Sequence, residues 1–184
     1  MKKILLLAVI TALGFANVNA QKIKFGAKGG LNFATISGDN TEDVGLVTAF
    51  NFGVVSEIPL SEKFSFQPEL MYSGQGYDFE DNTVALSYLN VPLMGKYYVA
   101  KGLSVEAGPQ IGFLLAAKNE DTNVKDSFNT FDFGVNFGLG YKLDNGLNFG
   151  ARYNMGLTDI NNLEGSSSKN KNSVFQLSVG YFFF

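Results

Sequence analysis

The sequence predicts an all-β fold, an eight-stranded antiparallel up-and-down transmembrane β-barrel preceded by a cleaved signal peptide. Three observations predict it. Apolar residues alternate with small or polar ones through eight segments of the 184-residue chain, turn-forming residues separate these segments, and the one long unbroken apolar run lies at the N-terminus. Successive side chains of a strand point to opposite faces, so this alternation gives every strand one apolar face.

The alternation is clearest in residues 131–143 and 147–157, which are joined by the strong hairpin signal Asp144-Asn145-Gly146. The first segment has Phe131, Phe133, Val135, Phe137, Leu139, Tyr141 and Leu143 in one phase, with Asp132, Gly134, Asn136, Gly138, Gly140 and Lys142 in the other. At about 3.3 Å per residue, a tilted strand of this length spans a hydrocarbon layer. The segment therefore predicts two membrane-crossing strands.

The glycine-rich polar phase is expected to face the lumen. An eight-stranded barrel is just wide enough to be filled by its own side chains, and stacked aromatic residues would overfill it. The Phe, Tyr, Leu and Val side chains then face lipid. The alternative, a soluble lipocalin-like small-molecule binder, requires the aromatic face to line the interior.

The N-terminus has the pattern of a secretory signal. Lys2 and Lys3 form a basic region, residues 4–15 are apolar, and Val18-Asn19-Ala20 resembles a cleavage site. The apolar run is shorter than the roughly 20 residues that a membrane-spanning helix needs. We therefore predict a signal peptide at residues 1–20 and a barrel domain at residues 21–184.

The other strands follow from the same alternation. They are predicted at about residues 23–34, 46–58, 63–77, 84–99, 103–115 and 175–183. Longer polar segments at residues 35–45, 78–82, 116–129 and 159–172 alternate with short turns, as in barrels whose short turns share one side of the membrane. Pro68, Pro92 and Pro109 each remove a ladder hydrogen bond, so we expect β-bulges there.

Composition excludes several classes of function. Cleavage would reduce the 14 basic residues to 12 against 17 acidic ones, which argues against nucleic acid as a partner. The chain has no Cys and no His, and it contains neither a GxSxG motif nor a nucleotide-binding glycine loop. Without these residues and motifs, we expect neither an enzyme nor a cofactor site. We also expect no metal site, because the acidic loop residues lack calcium-loop spacing.

Five charged residues fall in the inward phase at similar heights near the short turns: Lys28, Glu69, Lys96, Glu106 and Arg152. Isolated buried charges are costly, so these side chains should pair. We predict a lumen charge network with Glu69 as its central acceptor, close to Lys96 and within reach of Arg152. A salt-bridged plug is the structural interpretation, and a gate or proton path is the functional one.

Three segments resemble the PorT-like outer-membrane β-barrel family of Bacteroidota: FSFQPELMY from Phe64, YLNVPLMGKYY from Tyr88 and VEAGPQIG from Val105. Asn90 stands where many family sequences have Glu. The resemblance implies an outer-membrane location and the barrel fold. The member that gives this family its name is implicated in protein secretion and sorting, but most members have no assigned activity, so the resemblance implies little about the task.

The predicted function is a non-enzymatic outer-membrane barrel with a filled polar lumen, which has a structural or interaction role through its surface loops. The alternative within the membrane is a narrow pore for ions or small solutes. The expected partners are the lipid bilayer, the barrel-assembly machinery during biogenesis, and a surface or secretion-system protein. Aromatic residues near strand ends should form interfacial belts, namely Tyr77, Tyr97, Tyr98, Tyr141, Tyr181 and residues 182–184.

Overall fold

Eight long strands close into one antiparallel barrel. The computed structural model describes residues 23–39, 41–79, 82–162 and 168–183, so the predicted signal peptide lies outside the described residues. The long strands are β1 (Lys24–Gly38), β2 (Val47–Pro59), β3 (Phe64–Phe79), β4 (Asn82–Tyr98), β5 (Leu103–Asn119), β7 (Phe131–Lys142), β8 (Leu147–Gly156) and β9 (Asn170–Phe182). A two-residue strand, β6 (Thr122–Asn123), and a 3-10 turn (Lys125–Ser127) lie between β5 and β7.

Each long strand pairs with its neighbours in chain order, and β9 pairs with β1 to close the sheet. Lys28 of β1, for example, lies opposite Gly53 of β2 and Gly180 of β9. Closure leaves the paired strands without a free edge, which a lipid environment requires. The predicted eight-stranded up-and-down barrel is confirmed. No helix in the described part of the chain is long and apolar enough to cross a membrane.

The two faces of the wall follow the sequence alternation. On β2, Phe50 is 71% exposed and its neighbour Asn51 is 1% exposed, since they point outward and inward respectively. The same alternation continues around the barrel, with Phe, Leu, Val and Tyr outside and Asn, Gln, Ser, Lys and Glu inside. The aromatic phase therefore faces outward, which is incompatible with the lipocalin-like alternative.

The barrel has two unlike ends. Three short connections, residues 60–63, 99–102 and 143–146, meet at one end with the start of β1 and the end of β9, and we call this the turn end. Residues 39–46, 80–81, 120–130 and 157–169 connect strands at the other end, the loop end. Gly146 has a φ of 94° in the 143–146 turn, a conformation that glycine adopts without steric cost.

Several strands are longer than predicted at the loop end. β3, β4 and β5 extend past the other strands, so the described residues of the acidic segment 78–82, namely Asp78, Phe79 and Asn82, are strand and not loop. β9 begins at Asn170, which pairs with Gly38, so residues 170–172 are strand as well. Short runs of polar residues, such as Asn170-Lys171-Asn172, made these extensions resemble loops in the sequence.

The prolines interrupt hydrogen bonding without shifting the register. The ladders beside Pro68 and Pro92 skip residue pairs and then resume in the same register, and the ladder from β5 to β7 runs through Pro109 unchanged. The predicted bulges at these prolines are therefore wrong. The register shift lies between Ser87 and Tyr88, opposite the extra residue Leu115.

The aromatic-belt prediction holds for some residues only. Tyr97, Tyr141, Tyr181 and Phe183 project outward at the turn end. Tyr98 and Phe182 instead line the mouth of the barrel at this end, and Tyr77 packs against a buried apolar cluster at the loop end. Aromatic composition alone did not distinguish the two faces of the wall at the strand ends.

Candidate functional site

The lumen is stratified, and strand β1 passes through every level. Its inward side chains Lys24, Lys28, Asn32 and Ile36 are four residues apart, or about 13 Å along the strand at about 3.3 Å per residue. They lie respectively in an open basin at the turn end, a layer of ion pairs, a layer of amides and an apolar cluster at the loop end. We call these the basin, the charge layer, the amide layer and the apolar cap.

Glu69 is the central acceptor of the charge layer. Its two carboxylate oxygens accept hydrogen bonds from Nη1 and Nη2 of Arg152 at 3.0 and 2.8 Å, which is a bidentate geometry. Lys28 Nζ donates to Glu69 Oε2 at 2.7 Å. The Glu69 side chain is completely buried, so its charge is balanced by these two cations instead of water.

Glu106 joins the same network from β5, two strands away from Glu69 on β3. It accepts from Arg152 at 3.3 Å, forms an ion pair with Lys96 at 3.1 Å, and accepts from the Ser104 hydroxyl at 3.1 Å. All five residues predicted for the lumen network therefore lie in one connected cluster. Glu69 and Lys96, which were predicted to lie close together, do not pair directly, because Gln67 lies between them, donating to Glu69 at 2.7 Å and accepting from Lys96 at 3.1 Å.

Three further residues, Glu57, Tyr98 and Lys142, extend the network towards the turn end and were missing from the predicted set. Glu57 accepts from Tyr98 at 3.0 Å, from Lys96 at 3.5 Å and from Lys142. All three lie in the inward phase of their strands, so the alternation indicated that each side chain faces the lumen. Their height relative to the other charges depends on the strand register, which the sequence did not supply.

Gly140 makes space for the charge layer. A Cβ at this position would overlap Oε1 of Glu106 and lie 2.8 Å from Oγ of Ser104. The wall must therefore lack a side chain where these groups approach it. This close approach explains one of the inward glycines that alternate with polar residues on β7.

The amide layer continues the filling above the charges. Asn32 is at its centre: it donates to Ser73 at 2.9 Å and to the Gly74 carbonyl at 2.7 Å, and its Oδ1 accepts from Asn51 and Gln176, both at 2.9 Å. On the opposite wall, Asn154 donates to Asn136 at 3.2 Å and Asn136 donates to Gln110 at 3.3 Å. The layer is uncharged and spans the lumen from both sides.

The apolar cap closes the loop end. It consists of Ile36, Val84, Leu86, Tyr88, Leu114, Ala117, Phe128 and Ile160, all nearly inaccessible to solvent. At its base, Asn172 donates to the Tyr88 hydroxyl at 3.2 Å and to Asp132 at 3.0 Å. The cap was not predicted, although the apolar residues Ile36, Leu86 and Leu114 occupy inward positions of their strands, which is a signal that the sequence contains.

The loops that carry the cap are hydrogen-bonded to one another. Asn129 donates from its side chain to the carbonyls of Asp159 and Asn161, at 2.9 and 2.8 Å, and its backbone N–H donates to Ile160 at 2.8 Å. Asp39 accepts from the backbone N–H of Lys169 at 3.0 Å. These contacts join three of the four loop-end connections, so the described part of the loop end forms a folded lid.

The basin at the turn end is a cavity of about 860 Å³, which lies within the range of small-molecule sites. Its lining includes Lys24, Glu57, Tyr98, Lys142 and Phe182. A second cavity reaches the charge layer itself, but its volume is about 20 Å³, enough for about one water molecule. The lumen between the basin and the apolar cap is therefore largely filled by protein.

The chemistry of the lumen is that of ion pairs and amides. The described residues contain no group of three or more His, Cys, Asp or Glu that could hold a metal ion. The charges of the layer face one another, and each of its carboxylates accepts at least two charged or polar donors. This arrangement fixes the position of every strand that contributes to it.

A family model described as the outer membrane protein beta-barrel domain matches residues 15–162. The chain belongs to this family. Among solved structures it is similar to Ail, the attachment invasion locus protein of Yersinia pestis, with a TM-score of 0.55 and 13% identity over 89% of this chain and 100% of that chain. Neisserial surface protein A gives a TM-score of 0.56 and 13% identity with the same coverage. Such low identity shows the fold alone, and no curated protein matches the chain.

Family and fold place the protein in the outer membrane, as predicted, with the lipid bilayer around its apolar wall. Barrels of this kind have short periplasmic turns and longer extracellular loops. The turn end with its basin therefore faces the periplasm. The loop end with its apolar cap faces the cell exterior.

Proposed function

We propose that this protein is a non-enzymatic outer-membrane barrel with a closed lumen, which acts as a structural or interaction protein through the lid at its loop end. The observation that carries the proposal is the filling of the lumen by the charge layer, the amide layer and the apolar cap in succession. Water and ions would have to displace ion pairs and then enter an apolar cluster to cross. Neither step is favourable in a rigid barrel.

The lid supports an interaction role. Binding residues concentrate on loops that a rigid scaffold holds in place, and here the loops are also bonded to one another. The absence of His and Cys from the sequence supports a non-enzymatic role, since acyl-transfer and proteolytic sites use these residues. The resemblance of the segments from Phe64, Tyr88 and Val105 to PorT-like barrels suggests a secretion-system protein as one partner class.

Conductance across planar lipid bilayers tests the closed lumen. The purified, folded protein should give no stable conductance steps. The competing function, a narrow pore, predicts steps whose size changes in Arg152→Ala and Lys96→Ala, because these side chains span the charge layer. Steps of that kind in the unmodified protein would overturn the proposal, provided that heat-modifiable gel migration shows a folded barrel.

Crosslinking in intact cells tests the interaction role. A deletion of residues 164–171 would remove the start of β9 and the backbone contact of Lys169 with Asp39, so it would disturb the barrel itself. Deletion of residues 164–167 keeps those contacts. Partners crosslinked by the unmodified protein should be lost in this shorter deletion and retained when Glu62, at the turn end, is replaced by Gln. Crosslinks that are the same in all three proteins would contradict a role for the lid.

A further inference from the structure

The charge layer contains more cations than anions. Lys28, Lys96, Lys142 and Arg152 are connected to only three carboxylates, those of Glu57, Glu69 and Glu106. Asp132 is another buried carboxylate of the described lumen, but it lies at the base of the apolar cap, where Thr158 and Asn172 donate to it. The layer therefore has one uncompensated positive charge.

The excess charge is accessible from one direction. The side chains of Lys28, Lys96 and Arg152 are 6 to 8% exposed, whereas that of Lys142 is 16% exposed and lines the basin. Towards the loop end, the amide layer and the apolar cap separate the network from water. A compensating anion can therefore approach from the basin.

Lys24 adds a second cation at the same place. It lies opposite Glu57 in the pairing of β1 with β2, and it lines the basin. The Glu57 carboxylate is already occupied by Tyr98, Lys96 and Lys142, and Lys24 has no ion-pair partner among the described residues. Lys63 and Lys101 also line the cavity, and Lys101 pairs with Asp144. Lys24 and Lys142 thus face the cavity beside a carboxylate, that of Glu57, which other donors already occupy.

The other walls of the basin select the kind of anion. Tyr98 and Phe182 present aromatic rings, with Lys142 Nζ 5.1 and 5.4 Å from their centroids, so an apolar group can pack beside the cations. The lining as a whole contains four lysines and three carboxylates, those of Glu57, Glu62 and Asp144, so a single negative charge balances it and a multiply charged anion would exceed it. These features favour a monoanion attached to an apolar or aromatic group.

We propose that the basin is a periplasmic binding site for a monocarboxylate with an apolar or aromatic side chain, of the kind found at the end of a peptide. The carboxylate lies between Lys24 and Lys142, and the apolar group lies against Tyr98 and Phe182. The site is independent of conduction, because it opens to the periplasm whether or not the lumen is closed.

Isothermal titration of the folded barrel in lipid nanodiscs tests this site, with N-acetyl-phenylalanine as the probe. N-acetyl-phenylalanine amide is the matched uncharged control ligand, and inorganic phosphate represents multiply charged anions. The carboxylate should bind, and the amide and phosphate should bind at least about tenfold more weakly, which corresponds to about 1.4 kcal/mol. Equal binding of the carboxylate and the amide, or stronger binding of phosphate, would overturn the proposal.

Lys24→Met should weaken binding of N-acetyl-phenylalanine about fivefold or more without unfolding the barrel, because Lys24 has no ion-pair partner in the described part of the chain that the substitution would leave unpaired. Lys118→Met, at the loop end, is the matched control and should bind like the unmodified protein. Failure of the unmodified protein to bind the probe would overturn the proposal. So would identical affinities for the Lys24 and Lys118 variants.

Discussion

The charge layer and the apolar cap fill the same lumen by opposite chemistry. The charge layer uses directional contacts, such as the bidentate pair between Arg152 and Glu69, and its members come from several strands. The apolar cap uses non-directional packing of residues such as Leu86 and Ile160 from strands and loops. The comparison indicates a division of tasks in which ion pairs fix the barrel wall and apolar contacts attach the lid.

This division predicts that damage to the two regions differs in size and in kind. Loss of a charge leaves a partner buried and unpaired, and this costs more than the contact itself was worth. Loss of an apolar group leaves a cavity, whose cost depends on how far the neighbours can relax. The predictions below test this difference, beginning with the largest expected effect.

Glu69→Gln should have the largest effect. It leaves Arg152 and Lys28 without their shared carboxylate, and breaking a buried pair costs about 3 to 5 kcal/mol. Urea unfolding in liposomes measures the loss, with the exposed Glu62→Gln as control. Adding Lys28→Met should recover more stability than adding Lys96→Met, because Lys96 pairs with Glu57 and Glu106. Equal recovery by both would contradict the observed network.

Leu86→Ala tests the apolar cap. This leucine is 1% exposed inside the lumen, and truncation of a buried leucine costs about 2 to 5 kcal/mol. Leu89, on the outer face of the same strand, is the matched control, because lipid chains can fill the space that Leu89→Ala leaves. We expect a smaller loss of unfolding free energy for Leu89→Ala. Equal losses of unfolding free energy for Leu86→Ala and Leu89→Ala would contradict the assignment of these side chains to the lumen and lipid faces.

Gly140→Ala should have an intermediate effect. The added methyl group would overlap the Glu106 carboxylate, and overpacking of this kind costs about 1 to 3 kcal/mol. Gly29→Ala is the control, since its Cβ would lie 3.4 Å from its nearest neighbour, an ordinary contact. Unfolding titrations should show a loss for Gly140→Ala only. An unchanged Gly140→Ala protein would mean that Glu106 moves away without cost.

Lys101→Ala should have the smallest effect. Lys101 and Asp144 form an ion pair at 2.6 Å between two turns, but both side chains are about four-fifths exposed, at 83 and 80%. The hydrogen bond from Lys101 to Asp144, and then the charge of Asp144, raise the pKa of the lysine. Any stabilisation is thus present at neutral pH and lost as the pH rises through the raised pKa. Thermal unfolding at pH 7 should be indistinguishable from that of the unmodified protein, because exposed pairs contribute little.

The sequence was sufficient to predict the wall of the barrel. Alternation gave the phase of Glu69 and Arg152 correctly, and the inward phase combined with height brought five charges into one network. Lys28 was predicted as a member of the network, but its direct pairing with Glu69 depends on side chains crossing the lumen. Contacts across a barrel depend on strand register and on side-chain rotamers. The alternation of residue types in the sequence determines neither.

The loop end was harder to predict. The bulge at Ser87 and Tyr88 allows β5 to turn Leu114 and Ala117 inward, so a constant alternation fails there. Polar residues such as Asn129 and Asn162 resemble solvated loop residues in the sequence, yet their side chains bond one loop to another. Long-range contacts of this kind leave no local pattern. The apolar inward residues Ile36, Leu86 and Leu114 were the available sign of the cap.

Thiol labelling tests most directly whether the lumen is filled. The chain has no Cys, so each introduced Cys is the only reactive thiol. Asn136 is 0% exposed in the amide layer, Lys24 lines the basin and Lys118 lies at the loop end. In the folded barrel, Lys24→Cys and Lys118→Cys should react rapidly with a water-soluble maleimide, and Asn136→Cys should react only after unfolding. Reaction of Asn136→Cys in the folded barrel at the rate of Lys24→Cys would contradict a filled lumen.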